Sequence, residues 1–179
     1  MIVGSIARRY AKALFSLADE QGQVEQWSGG LEALGRALAS SPELRDTLTS
    51  PLFEKDQRRA VVAELSRSLG LADAPRNFLL LLADRDRLAY LPAVIQNFRD
   101  LADARLGRIR ARVTSAVPLA PEEARRIAER LAQVEKAQVI VETRVDPALL
   151  GGVVAQVGSL VYDGSVRSQL EELRRAMKH

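Results

Sequence analysis

Apolar positions in the first hundred residues recur every three or four places, which predicts helix after helix. Ile6, Tyr10, Leu14 and Leu17 form the first stripe, with Ala7, Ala11, Ala13 and Ala18 beside them. Those alanines predict a face that a second helix can approach closely. Val24, Trp27, Leu31, Leu34 and Leu38 make a second amphipathic helix. Gly29, Gly30 and Gly35 interrupt it, each costing about 1 kcal/mol relative to alanine; a neighbouring helix packed over them makes that tolerable. Ser41-Pro42 supplies a cap and a first-turn proline for a short third helix through Leu44 and Leu48, which Pro51 ends. A fourth carries Val61, Val62, Leu65 and Leu69 and is closed by Gly70. Asp73 is the expected cap of a fifth, whose run from Phe78 to Leu82 is apolar all round and belongs at the bundle centre. The sixth places Leu91, Val94, Ile95, Phe98, Leu101 and Ala102 on one face and ends near Gly107. An antiparallel six-helix bundle with short connections is expected.

The period then changes to two. Ile109, Ala111, Val113, Ser115 and Val117 alternate with Arg108, Arg110, Arg112 and Thr114, so a strand with a basic outward side is predicted. Pro118 and Pro121 bracket a turn into a helix from Glu122 to Glu135, acidic in its first turn as the macrodipole prefers. A second strand puts Val139, Val141, Thr143 and Val145 on one face. Strand, helix and strand imply a right-handed parallel crossover. Asp146-Pro147 caps a short helical turn that Gly151-Gly152 stops, and a third strand runs from Val153 to Tyr162. Asp163-Gly164 is expected to turn the chain, with Ser165 capping a closing helix. The short link before the third strand suits an antiparallel neighbour. The fold class is therefore multidomain α and α/β: a helical bundle over residues 1–106, then a small α/β domain with a three-stranded mixed sheet over 107–179.

Composition changes this picture little. The chain has 179 residues, 47% hydrophobic and 27% charged, as expected of a soluble globular protein. Its longest apolar run, Phe78 to Ala83, is far short of a membrane span, and no signal peptide is expected at the N-terminus. Net charge is +3. The first 106 residues are neutral, with 14 basic and 14 acidic side chains, and the rest carry 12 against 9. So mild an excess is a poor footprint for nucleic acid and suits an acidic protein partner equally well.

Candidate chemistry is sparse. With no cysteine, disulfides and thiolate metal sites are excluded, and the single histidine, His179, is the last residue, expected to be frayed and solvated. The two most versatile nucleophilic and acid–base side chains are thus missing from the body of the chain. No G-x-S-x-G motif is present. The carboxylate pairs Glu122-Glu123 and Glu171-Glu172 fall on helix first turns or solvent faces. G-G-V-V-A-Q-V-G, from Gly151 to Gly158, is neither a dinucleotide fingerprint nor a phosphate loop, and its glycines precede or interrupt a strand. They read as a helix stop and, at Gly158, a bulge or a close backbone approach. No catalytic residue, cofactor or metal ligand is assigned. Two binding readings stay open. One is a nucleic-acid adaptor using the Arg108/Arg110/Arg112 face, although no aromatic is interleaved there for stacking. The other is an interaction module whose bundle offers a groove to an amphipathic helix.

Four blocks, in order, carry a family resemblance: Y-A-K-A-L-F-S-L-A (Tyr10–Ala18), N-F-L-L-L-L-A-D-R-D-R-L-A-Y-L-P-A-V-I (Asn77–Ile95), V-T-S-A-V-P-L (Val113–Leu119) and D-P-A-L-L-G-G with D-G-S-V-R-S-Q-L-E-E-L (Asp146–Leu173). Together they resemble the delta subunit of rotary ATP synthase, whose mitochondrial counterpart is the oligomycin-sensitivity-conferring protein. The resemblance implies a stator part with no active site, present once per complex, joining the catalytic head to the peripheral stalk against rotor torque. It implies a groove between the first and fifth helices for the N-terminal helix of an alpha subunit. Tyr10, Ala13, Leu14, Leu17, Phe78 and Leu82 are the matching positions, some of which must instead be bundle core. It also implies that the C-terminal domain holds the b subunits of the stalk, with Val153, Val157 and Val161 as candidates. Arg85-Asp86-Arg87 departs from the family, which often has Asn or Gly there, and this puts the end of the fifth helix in question. Arginine outnumbers lysine 22 to 4 and no presequence is evident. The expected location is the cytoplasmic face of a bacterial inner membrane, as a peripheral protein, with a mature organellar form as the alternative.

Overall fold

The structure is a computed structural model that describes residues 2–50 and 52–176. Pro51 and His179 lie outside the described residues, as do the side chains of Glu171 and Glu172. Two compact units divide after Asp103, within the same helix at whose end the sequence suggested a boundary.

The first unit contains α1 (Ile2–Glu20), α2 (Val24–Ser40), α3 (Pro42–Thr49), α4 (Lys55–Ser68), α5 (Asp73–Asp84), a 3-10 turn (Leu88–Tyr90) and most of α6 (Leu91–Leu106). Its core is built from Leu14, Trp27, Leu31, Leu34, Leu79, Leu82, Val94 and Phe98. On α1 it is the alanines that go inside: Ala7, Ala11 and Ala18 are fully buried. A methyl-sized side chain lets the helix axes come close without a cavity. Among the α2 glycines only Gly30 is tightly overlaid, since a Cβ there would meet Leu71 Cδ2 at 2.7 Å. Ser41 caps α3 as expected, its Oγ accepting from Leu44 N–H at 3.2 Å. Asp73, by contrast, is not a cap; α5 begins at it, and its carboxylate pairs with Arg76 at 2.9 Å. Nor is α5 buried all round. Leu82 is fully buried, but Phe78 and Leu80 are half-buried and Leu81 is 44% exposed.

The end of α5 is closed without glycine. Arg87 N–H donates to Leu82 O at 2.8 Å and Asp86 N–H to Ala83 O at 3.3 Å, with Asp86 at φ 53°. This is the six-to-one and five-to-two pair of a left-handed helix stop. Aspartate enters the left-handed region more readily than most residues because its short polar side chain bonds locally. Here its carboxylate also accepts from Arg58 Nη2 at 2.6 Å.

The second unit contains β1 (Arg108–Ser115), α7 (Pro121–Glu135), β2 (Gln138–Val145), a 3-10 turn (Pro147–Leu149), β3 (Gly152–Val157), β4 (Leu160–Ser165) and α8 (Val166–Ala176). The sheet has four strands, not three, in the order β2-β1-β3-β4. β1 and β2 are parallel around α7, while β3 runs antiparallel to both β1 and β4. The expected single strand from Val153 to Tyr162 is a hairpin. Val157 pairs with Leu160, so Gly158 and Ser159 form a two-residue loop, with Gly158 at φ +57°. Glycine at the first loop position is the usual requirement of such a turn. Gly158 is therefore neither a bulge nor a close approach, and Asp163-Gly164 lies within β4 rather than in a turn.

The close approach is at Gly152 instead. Its φ is +76°, and a Cβ there would sit 2.3 Å from Gly164 O and 2.9 Å from Ser165 Cα. The preceding turn is capped by Asp146, whose carboxylate accepts from Ala148 N–H at 3.0 Å, and ends with Leu150 in the left-handed region at φ 61°. Ala111, Val113, Leu131, Val139, Ala155 and Val157 make the core of this unit, with Ile109, Ile127, Val141 and Val153 packed against it.

Candidate functional site

Two surfaces hold the residues singled out from the sequence. On α1 and α5, Leu14 and Leu82 are core, at 4% and 0% exposure. Tyr10 and Phe78 are half-buried and meet edge to face, with ring centroids 5.9 Å apart and planes inclined at 66°. Such ring pairs add about 0.5–1.5 kcal/mol beyond their buried area. Ala13 is exposed and Leu17 is 38% exposed. Ala13 and Leu17 lie three and seven residues beyond Tyr10, so they continue its side of α1. On α5, Leu81 follows Phe78 by three and extends the same apolar face. The six sequence candidates thus divide into a core pair, an aromatic floor, and a rim.

Arg87 fixes the floor. Its guanidinium donates to Tyr10 Oη and lies with Cζ 5.7 Å from the Tyr10 ring centroid. Arg87 is placed there by the α5 stop, and that stop is tied to α4. Arg58 pairs with Asp86, while Arg59 Nη1 donates to both oxygens of Asp84 at 2.8 Å. The Arg59 hydrogen bond holds the Asp84 carboxyl below the ordinary carboxylate value, with burial acting the other way. Neither Arg87 nor Leu81 was found from the sequence. Leu81 was hidden in an unbroken apolar run, and the partner of Arg87 is 77 positions away.

On the second unit, the strand register separates the three valine candidates. Val153 and Val157 lie on the face packed against the core, and Val157 is buried. Of the three, only Val161 presents its side chain, at 60% exposure on the edge strand β4. Leu160 and Tyr162 beside it are also exposed, as are Val166 and Leu170 on α8. Tyr162 Oη donates to Glu135 Oε1 at 2.9 Å, which raises the phenol above its ordinary value. Asp163 organises the entry to α8. Its carboxylate accepts from Ser165 N–H at 2.9 Å and from Ser168 Oγ at 2.6 Å, and these bonds hold it below the ordinary carboxylate value. Ser165 caps α8, its Oγ accepting from Ser168 N–H at 3.3 Å.

The arginines of β1 are engaged by β2. Arg108 Nε donates to Gln138 Oε1 at 3.2 Å, and Arg110 pairs with Glu142 at 3.4 Å. Arg112 is exposed. Two of three charges tied to neighbouring polar groups leave a weak basic stripe. Among the described residues, no group of three or more His, Cys, Asp or Glu could hold a metal ion, and no helix is long and apolar enough to cross a membrane.

A helical bundle with an apolar rim, followed by a small mixed-sheet unit with an apolar edge, defines a two-unit interaction protein. The chain matches the family model for the ATP synthase delta (OSCP) subunit over residues 6–177. ATP synthase subunit delta of Anaeromyxobacter dehalogenans (strain 2CP-C) is 62% identical over 178 residues, covering 99% of each chain. The Myxococcus xanthus subunit delta is 46% identical, again over 99% of each. Among solved structures, a chain of the Toxoplasma gondii mitochondrial ATP synthase hexamer superposes with a TM-score of 0.67 at 22% identity, covering 97% of both chains, which shows a shared fold. The protein belongs to the ATP synthase delta (OSCP) subunit family. It is a structural, non-catalytic subunit of the ATP synthase complex.

Proposed function

We propose that the first unit binds the catalytic head by taking the N-terminal helix of an alpha subunit across α1 and α5, and that the second unit binds the b subunits of the peripheral stalk. The protein then acts as a single-copy stator link that resists rotor torque during ATP synthesis. The observation that carries this reading is the split of α1. Its alanine side is consumed by the bundle, while Ala13 and Leu17 are left outside beside the Tyr10–Phe78 floor. Apolar residues at helical spacing, next to an aromatic floor held by Arg87, suit an amphipathic helix laid into a groove. For the stalk, Val161 is the exposed apolar candidate that a b-subunit helix would cover. It lies on the face of β4 opposite to Leu160 and Tyr162, which pair with the core residues Val157 and Ala155. The membrane association is peripheral, through the complex, at the cytoplasmic face of a bacterial inner membrane.

Calorimetry with a peptide of the alpha subunit's N-terminal helix tests the groove. Micromolar binding that perturbs amide shifts on α1 and α5 is expected. Absence of binding at micromolar peptide, or shifts confined to the second unit, contradicts the assignment.

A further inference from the structure

On α1, Arg9, Ala13, Leu17 and Glu20 are all exposed and follow one another at spacings of four, four and three. They therefore form a single line along the helix, on the side that carries Tyr10. The line is apolar in the middle, basic at one end and acidic at the other. At 1.5 Å per residue the two charges are about 16 Å apart. The rest of the helix repeats the order, with Arg8 and Lys12 preceding Asp19 in its last turn.

The acidic end of this line runs against the helix's own interest. The macrodipole favours acids at the N-terminus and bases at the C-terminus. Yet α1 has no acidic residue in its first turn and no basic residue in its last. The macrodipole does not favour the acid Glu20 in the last turn, and a local rule broken beside a binding face points to recognition.

We propose that Arg9 and Glu20 set the direction in which a partner helix lies on this face; the inference rests on the groove reading above. The occupant it fits is an amphipathic helix whose apolar stripe is flanked by an acidic residue opposite Arg9 and a basic residue opposite Glu20. A helix with acids in its first turn and bases in its last lies parallel to α1, since that placement satisfies both rim charges. The reverse placement brings like charges together at both ends. Charges at the rim of an interface act in this way on register and choice of partner more than on total affinity.

The experiment uses the full chain, its double variant Arg9→Glu/Glu20→Arg, and the alpha subunit's N-terminal peptide with a nitroxide at its first residue. In the native chain, paramagnetic broadening is expected at amides around Arg9 and not around Glu20. The double variant is expected to bind about tenfold more weakly at low salt, with the difference vanishing near 0.5 M salt as exposed charges are screened. Exchanging the peptide's flanking charges as well restores binding. The thermal midpoint of the double variant should not fall, and should rise if the dipole argument holds, which separates recognition from folding. Equal affinity of native and double-variant chains at low salt, or broadening at both ends of α1, overturns the directional inference alone. No binding by the native chain overturns the groove reading and this inference with it.

Discussion

In the helical unit the closest packing is made by side chains, and in the sheet unit by bare backbone. Ala7, Ala11 and Ala18 are fully buried on α1, whereas Gly152 lets the Gly164 carbonyl come within 2.3 Å of where a Cβ would stand. An alanine-lined contact can relax when a neighbour is trimmed, because side chains rotate. A backbone-to-backbone approach has nothing to rotate. The two units should therefore fail differently, the first by graded loss and the second abruptly.

The largest effect expected is from Gly152→Val. It adds a β-branched side chain against two backbone atoms at φ +76°, a conformation that branched residues avoid. The second unit should lose its dispersed amide spectrum while the helical signal and the buried Trp27 of the first unit persist. Loss of both together would break the comparison, by showing that the units fold as one. Next comes Leu82→Ala, which leaves a cavity at a fully buried position and should cost about 2–5 kcal/mol. Urea unfolding followed by Trp27 fluorescence reads it, and resonances of the second unit should not shift. Smaller in stability is Leu17→Asp. This exposed position should change folding by no more than about 0.5 kcal/mol, yet it should weaken alpha-peptide binding at least tenfold in calorimetry. A Leu17→Asp chain that binds normally removes the rim from the site.

The mildest effect is acid sensitivity. Asp84 in the first unit and Asp163 in the second both have carboxyls held below the ordinary value of 3.8. A depressed folded-state value means that each contributes stability that is complete above the unfolded value. That contribution is lost as pH falls through the lower folded value. Asp84→Asn should flatten the acid limb of the first unit's stability curve, and Asp163→Asn that of the second. Amide-resolved unfolding between pH 5 and 2 checks both, and crossed effects would again join the units.

The bundle was legible because leucine and alanine at three- and four-residue spacing leave little choice of period, and Ser41-Pro42 and Gly70 mark boundaries by their own chemistry. α5 misled in a specific way. With five large apolar residues in a row, periodicity carries no information about which side faces out, so the exposure of Leu81 could not be seen. In the sheet unit, β1, α7 and β2 followed from alternation and capping. The hairpin did not, because Gly158-Ser159 sits inside an apolar run while Asp163-Gly164 looks like the turn. What decides between them is the pairing of β3 with β1, which is non-local, together with the engagement of the Asp163 carboxylate by Ser165 and Ser168 at the entry to α8. The family resemblance pointed to six groove positions; only burial separated Leu14 and Leu82 from Ala13 and Leu17. The Arg87–Tyr10 contact joins residues far apart in the chain, and no local pattern announces it.

The strand at the end of the sheet has a consequence for handling and synthesis. β4 reads L-V-Y-D-G-S, with three exposed apolar or aromatic side chains and no lysine or proline along its free edge. An edge of that kind is a template on which another chain can add a strand, and proteins commonly blunt it with charge. Here Asp163 alone provides that guard. Made in excess of whatever covers the edge, the protein should self-associate as its concentration rises. Sedimentation of the native chain beside Val161→Lys, which restores a guarding charge, should show the native chain alone drifting to larger species. Balanced supply of this subunit with its partners would then be a condition of its solubility.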